Sequence, residues 1–516
     1  MRTSAFSSWC LVWSMIHCAG SLLHAQVPDD WRVDKSLYPK AFGVLANDLL
    51  MHPANVDDWP IVIGAERQLF VDDELIASMD GIERRINPAK KHPANPLIVP
   101  DKPWEGSNVF FQFVLRDEET GKFRMWYSCS PAFTLPDGKR APWMGCYAES
   151  DDGVHWEKPN LGLHEVEGSR ENNVLISDGG FFGMMHTPED PNPERLYKGM
   201  VLRFQNQPLE GYYLYTSPDG VHWTLERERR AVPSQQGYTL PTNGIGDTTF
   251  FRWDPRLQKY IGDVKFVFPG KMRVRGIMES DDLIHWTRPR MTLYPDALDD
   301  PKAQIYGHVG FNYESMWLGI VRVMHDDIVA DSYKQTTVEM TSSRDGRHWS
   351  RVGDRTQIIP LGEPDEWDPH YHDPCTPPVL VGNELWIYYR SLPLWKDMHD
   401  KISRIGLATL RRDGFVSLDA GDTPGVVVTR PLTYSGSKLF VNAQVAEGGY
   451  LKAELRTIDG EPAGEYLLEN ATPIAGDVLA KQVNWRGEAS IPSAEENSLR
   501  LVFELKNAKL YSFWVE

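Results

Sequence analysis

The densest group of ionisable side chains in the sequence is Glu366-Trp-Asp368-Pro-His370-Tyr-His372-Asp373. If this stretch is extended, period-two alternation puts Asp368, His370 and His372 on one face, with Glu366 joining them. Such a set can contact a substrate, use a histidine as a proton donor, or offer ligands to an ion such as calcium or zinc. The bland alternative is a solvated loop that hydrogen-bonds to itself. Further candidates are Trp104 and Glu105 in KPWEGSNVFF, Asp178 and His186 in ISDGGFFGMMH, Asp247 in GIGDTTFF and His308 in IYGHVG. Asp247 aligns with the Glu105 region through a shared pair of phenylalanines, Phe110-Phe111 and Phe250-Phe251. Its bland alternative is a capping or turn aspartate.

What must position these groups is a repeated sentence. SDDGVHW (150–156), SPDGVHW (217–223), SDDLIHW (280–286) and SRDGRHW (343–349) place Trp156, Trp223, Trp286 and Trp349 at intervals of 67, 63 and 63 residues. A worn fifth copy, LRRDGFVSL, sets Phe415 66 residues further on. Before each copy lie short runs rich in β-branched and aromatic residues, such as FRMWYS, LYKGMVLRF, KYIGDVKF, MWLGIVRVM and NELWIYYRS, which read as strands. Asp-Gly makes the tight turn and the aromatic covers the strand ends, so the motif itself is structural. Five such units predict an all-β fold, a five-bladed β-propeller over residues 66–430 followed by a C-terminal β-sandwich. Glu66–Ile76 is the expected strand donor that closes the ring. Beyond Pro431 the period stops, and short alternating strands over 435–516 predict the sandwich. The inner strands then open on a central channel, where the candidates above gather.

At 516 residues two domains are expected. A formal charge of −18 argues against nucleic acid, which needs clustered Lys and Arg. Residues 1–25 read as a signal peptide: Arg2, then an apolar stretch from Trp9 to Ile16 too short to span a bilayer, then Ala25. Residues 26–65 are a polar N-terminal segment, and no later stretch suits a membrane helix, so the expected location is secreted or periplasmic. Of five cysteines, Cys129, Cys146 and Cys375 remain after signal removal. Cys129 and Cys146 lie on neighbouring strands and are expected to form a disulfide, and the spacing offers no structural zinc site. The eighteen Trp suit both core packing and stacking on sugar rings. The sequence leaves the oligomeric state open.

The stretches RQLFVDDELI, HPANPLIVPDKPWEG, ESDDGVHWEKPNLGL, GDTTFFRWDPRLQKYIGDVK and GNELWIYYRS resemble the glycoside hydrolase superfamily of families 32, 43, 62, 68 and 117, above all the family-32-like proteins of polysaccharide-degrading environmental bacteria. The resemblance covers nearly all of the mature chain. It implies a carbohydrate substrate, no required cofactor, and three acidic groups on inner strands acting as nucleophile or base, as orienter and as general acid. On that pattern Asp247, Glu105 and Asp178 are the candidate catalytic acids. Family 117 implies a histidine acid, for which His308 and His372 stand. Trp104, Asp368, His370, Asp373 and His186 are candidate substrate contacts, and the His/Asp cluster has donors for a calcium or zinc ion on the axis. No WMNDPNG-like stretch, no RDP in the second unit and no Glu-Cys pair in the third is present, which argues against invertase-type activity. A carbohydrate-binding propeller without a working triad is the competing expectation. A six-bladed sialidase ranks below both, because SxDxGxTW spacing is not matched.

Overall fold

The computed structural model describes residues 59–203, 210–233, 245–267, 272–325, 335–393, 402–488, 490–495 and 497–516. Residues 1–25, expected to be a signal peptide, and nearly all of the N-terminal segment lie outside them. Apart from Trp59 and residues 296–298, the described residues belong to one compact unit.

Runs of aromatic and β-branched residues pair as antiparallel meanders. The first is Val109–Arg116, Phe123–Cys129, Met144–Ser150 and Val174–Ile176. The second is Gly180–His186, Tyr197–Arg203, Gly211–Ser217 and Thr224–Leu225, and the third is Phe250–Asp254, Lys259–Val267, Arg273–Ser280 and Arg290–Leu293. The fourth (Ala303–Tyr313, Met316–His325, Gln335–Ser343, Ser350–Arg351) and the fifth (Tyr371–Pro374, Glu384–Leu392, Arg404–Arg411, Lys90–Lys91) are linked by one parallel pair, Thr336 with Tyr371. Neighbouring meanders pack side by side, and the fifth returns onto Val109–Arg116 of the first. The result is a β-propeller built of these meanders, called blades one to five below, with the first strand of each innermost.

The repeated motif is a turn lock. In the first copy Ser150 Oγ accepts from Gly153 N at 2.9 Å, and Asp152 Oδ1 accepts from the amides of Val154 and His155, both at 2.8 Å. Trp156 Nε1 donates to Gly153 O at 3.1 Å, while Tyr388 Oη of the fifth blade donates to the same carbonyl at 2.8 Å. The Ser and Asp bonds recur around Asp219, Asp282 and Asp345, and the Trp bond recurs at Trp223 and Trp286. The histidines of all four copies point to solvent, so these residues fasten blades and do no chemistry. In the third copy Leu283 replaces the glycine at φ 64°, and it is wholly buried against the core shared by the first three blades.

The sandwich is built on two long strands, Leu439–Thr457 and Leu499–Val515, paired from Leu439 with Val515 to Thr457 with Leu499. Register shifts at Asn442/Ala443 and Val445/Tyr450 bulge the pair, and its inner face holds a core including Phe70, Val427, Leu455, Trp485 and Phe503. Here the structure corrects the expected boundaries at 66 and 430. Gln68–Leu69 pairs with Phe513 and Ser512, and Ile76–Asp80 pairs with Gly425–Thr429, so residues 66–86 and 416–429 belong to the sandwich. The ring is closed instead by Lys90–Lys91, the outer strand of the fifth blade. The reason is apolar matching: Phe70, Leu75 and Ile76 fill the sandwich core, each contributing roughly 2–3 kcal/mol of burial.

Candidate active site

The inner strands are bent where they approach the axis. Register shifts fall between Phe110 and Phe113 in the first blade, Phe181 and Gly183 in the second, and Ile305 and Gly307 in the fourth. A bulge inserts a residue and re-aims the side chains beside it. Phe111, at φ 51°, is turned onto Phe182 (4.5 Å between ring centroids) and Phe250 (5.6 Å), and the three rings from three blades plug the axis. All five inner strands enter from the same end, so the plug divides the channel into an entry side and a far side.

On the entry side Asp247 stands on a rigid turn. Gly246 O accepts from Tyr212 Oη at 2.8 Å and Thr249 Oγ1 at 3.0 Å, and Thr248, at φ 58°, ties its hydroxyl to Tyr306 O. The Asp247 carboxylate pairs with Lys265. Burial pulls the Lys265 ammonium below its ordinary value, against the opposing pull of Asp247. Tyr306 is ringed by cations: Lys265 Nζ at 5.2 Å, Arg322 at 5.4 Å and Arg273 at 5.5 Å from its centroid. Its hydroxyl is pushed up to about 12, first by burial and then by Asp247, with Asp373 adding to it.

Asp373, fully buried, closes this group from the fifth blade. It pairs with Arg322, lies 3.5 Å from Arg390 Nη1, and accepts from Cys375 Sγ at 3.1 Å. Burial alone would lower the Arg322 guanidinium, and Asp373 with the aromatic hydroxyls around it reverses this and raises it. Asp178 sits at the rim with Arg203 and with Tyr215 Oη at 3.2 Å.

The structure does not bring the remaining candidates to Asp247. Glu105 is buried under the first blade, where it accepts from Tyr127 Oη (2.6 Å), Lys158 and the amides of Asp101 and Lys102. Trp104 packs beside it and donates to Asn173. Asp368 and His372 form a buried network with Lys91 (2.8 Å) and Tyr389 Oη (2.7 Å). Burial would lift the Asp368 carboxyl, and His372, Lys91 and Tyr389 hold it at about 2. His370 is buried, its carbonyl accepting from Thr336 N. The expected alternation is present, but in Tyr371–Pro374 the face toward the channel is that of Tyr371 and Asp373, not of the histidines.

His308 and His186 reach the far side instead, lining a cavity of about 630 Å³ with Met184, Phe251, Trp253 and Pro377. His308 Nδ1 bonds Asp263, and its Nε2 meets Thr341 Oγ1 at 2.8 Å. Burial would raise the Asp263 carboxyl, while Arg275 and then His308 keep it below the usual range. His186 stacks on Tyr197 at 4.5 Å and is lowered by burial and by Arg124. Among the described residues no cluster of three or more His, Cys, Asp or Glu is arranged to hold a metal ion, and no helix is long and apolar enough to cross a membrane. Cys129 and Cys146 are thiols in contact at 3.4 Å, with no bond joining them.

Sequence reasoning missed Lys265, Arg273, Arg322 and Arg390. A signal for two of them was there: Arg322 in LGIVRVM and Arg390 in LWIYYRS are lone cations inside mostly apolar second strands, whereas Lys265 shares its strand with Lys259 and Asp263.

No protein-family model matches the chain, and no curated protein sequence matches it. Solved structures do. A glycosyl hydrolase from Bacteroides ovatus is 14% identical with a TM-score of 0.41, covering 63% of this chain and 94% of that one. An N-acetylgalactosamine deacetylase from F. plautii is 16% identical (TM-score 0.42; 65% and 97% covered). The fructofuranosidase of Schwanniomyces occidentalis is 10% identical (TM-score 0.40; 83% and 97% covered).

Proposed function

We propose that the chain is a glycoside hydrolase whose reaction takes place on the entry side of the propeller channel. The observation that carries this reading is the meeting of Asp247 and Asp373, from different blades, around Tyr306. Glycosidic cleavage needs a carboxylate against the developing oxocarbenium ion and a proton for the leaving oxygen. Asp247, partly exposed beside Lys265, is the nucleophile or the base toward water. Asp373 orients Arg322 and Arg390. Because Asp178, Asp247 and Asp373 are each paired with a cation, the proton source is Lys265, whose acidity burial increases. Its proton passes to the glycosidic oxygen as the bond from that oxygen to the anomeric carbon breaks. Export, as the reading of residues 1–25 as a signal peptide implies, would bring the chain to such a substrate.

The same ion pairing favours a second reading, a carbohydrate-binding propeller without turnover. The two part on a screen of the purified protein against an oligosaccharide panel, with Asp247→Asn and Lys265→Met alongside. The expected result is turnover by wild type and a loss of roughly 1,000-fold in Asp247→Asn. Equal rates for mutant and wild type remove Asp247 from the reaction, and no turnover on a broad panel leaves the binding reading.

A further inference from the structure

Building on the hydrolase reading, we propose that the entry-side site takes a saccharide bearing an oxyanion, a carboxylate or a sulfate ester, held by Arg273, Arg322 and Arg390. Among the described residues, four cations face this part of the channel, Lys265, Arg273, Arg322 and Arg390, against two carboxylates, Asp247 and Asp373. Arg275 and Asp263 neutralise each other one layer away. The local excess is positive in a chain whose formal charge is −18, so it is not a reflection of general composition.

The arginines are also under-used. Arg273 Nη1 bonds only the neutral side-chain oxygen of Gln304, at 2.6 Å, and Arg390 Nη2 bonds the Asn108 amide oxygen at 2.8 Å. Nε of Arg273, Arg322 and Arg390, and Nη2 of Arg322, have no hydrogen-bond partner, although Arg322 is 1% and Arg390 9% exposed. Buried charged donors without acceptors are costly, and native structures retain them where a ligand completes them. The Nε and Nη2 edge of Arg322 is packed against Gly307, where a Cβ would stand 2.0 Å from Nε, so only a glycine at 307 leaves room for the guanidinium beside Tyr306. A guanidinium edge matches the paired oxygens of a carboxylate or sulfate. Tyr306, protonated at neutral pH, adds a hydroxyl donor beside them. A neutral sugar would offset none of the excess charge.

The test compares kcat/KM on substrate pairs that differ only in charge: aryl hexosides against hexuronides, and unsulfated against sulfated oligosaccharides. Calorimetry with the Asp247→Asn protein runs in parallel, with inorganic sulfate and phosphate alone as separate arms. The expected result is a preference for the anionic member of roughly 10–100-fold. It weakens as salt rises and collapses in Arg273→Gln, at a partly exposed position, and in Arg390→Gln, with the melting temperature of each variant measured alongside. Equal or reversed preference overturns the inference, as does binding of inorganic anions without any preference among the saccharides, or no binding of any anionic member. Failure of the hydrolase reading looks different. Tight anionic binding by Asp247→Asn with no turnover by wild type, or an unsaturated ultraviolet-absorbing product, removes hydrolysis and keeps the anion assignment.

Discussion

Asp219 and Asp345 have the same job in two blades, and their titration makes it measurable. Burial alone would raise both carboxyls, yet the amides and imidazoles of His222 and His348 hold them at about 2, against an ordinary 3.8. A depressed folded value means stability that is full above pH 4 and is lost as pH falls from about 4 towards 2. Melting temperature should therefore drop through that window and stay flat from pH 5 to 7, and Asp219→Ala should flatten part of the drop while costing about 1 kcal/mol at neutral pH. A melt that ignores pH between 2 and 5 would contradict the turn-lock role. At this scale the motif carries its own meaning, because its partners lie within three residues. Lys265 and Arg322 do not, because their partners are 18 and 51 residues away.

At the scale of elements, the glycine in the motif is set by what the neighbouring blade puts against it. Gly153, at φ +75°, leaves no room for a Cβ, which would stand 2.7 Å from Tyr388 Oη and 2.8 Å from Trp386. Gly138, at φ +82°, has nothing within 4 Å. Alanine at either position incurs left-handed strain of about 1 kcal/mol, and only Gly153→Ala adds overpacking of about 1–3 kcal/mol. Chemical denaturation should rank Gly153→Ala clearly below Gly138→Ala; equal losses would mean that the blade contact is loose. The fifth-blade strand shows the limit of pattern reading. Period two correctly separates the residues of Tyr371–Pro374 into two faces, but which face meets the channel depends on the neighbouring strand, where Gln112 holds the Asp373 carbonyl.

For the whole molecule, the worn fifth copy is the join between propeller and sandwich. Its Asp413, fully buried at φ 62°, accepts from Arg67 (2.7 Å), Tyr313 Oη (2.8 Å), Asn442 (2.8 Å) and Ser512. Arg67 in turn lies 3.8 Å over the Trp514 ring. Removing this charge strands a buried arginine, and Asp413→Asn should cost about 3 kcal/mol, seen as a lower melting midpoint. Truncation after residue 430 removes Leu499–Val515, the partner of Gln68–Leu69, Val416–Ala420 and Gly425–Thr429. Such a chain should lose its cooperative melt, and an unchanged melting temperature would make the sandwich a dispensable appendage.

Local chemistry settles the turn of SxDGxHW and the pleat of FRMWYSC, so the repeat and the all-β class are written in the sequence itself. Asp247 and Asp373 stand out there as candidates because short charged residues lie at or just before the starts of inner strands. The tertiary structure alone decided the rest: that residues 66–86 complete the sandwich, that Glu105, Asp368 and His372 spend their charge inside blades, and that Lys265, Arg273 and Arg322, from two different blades, converge on Tyr306. Closing a ring brings together side chains far apart in the chain, and no periodicity along a single strand encodes what that strand will face.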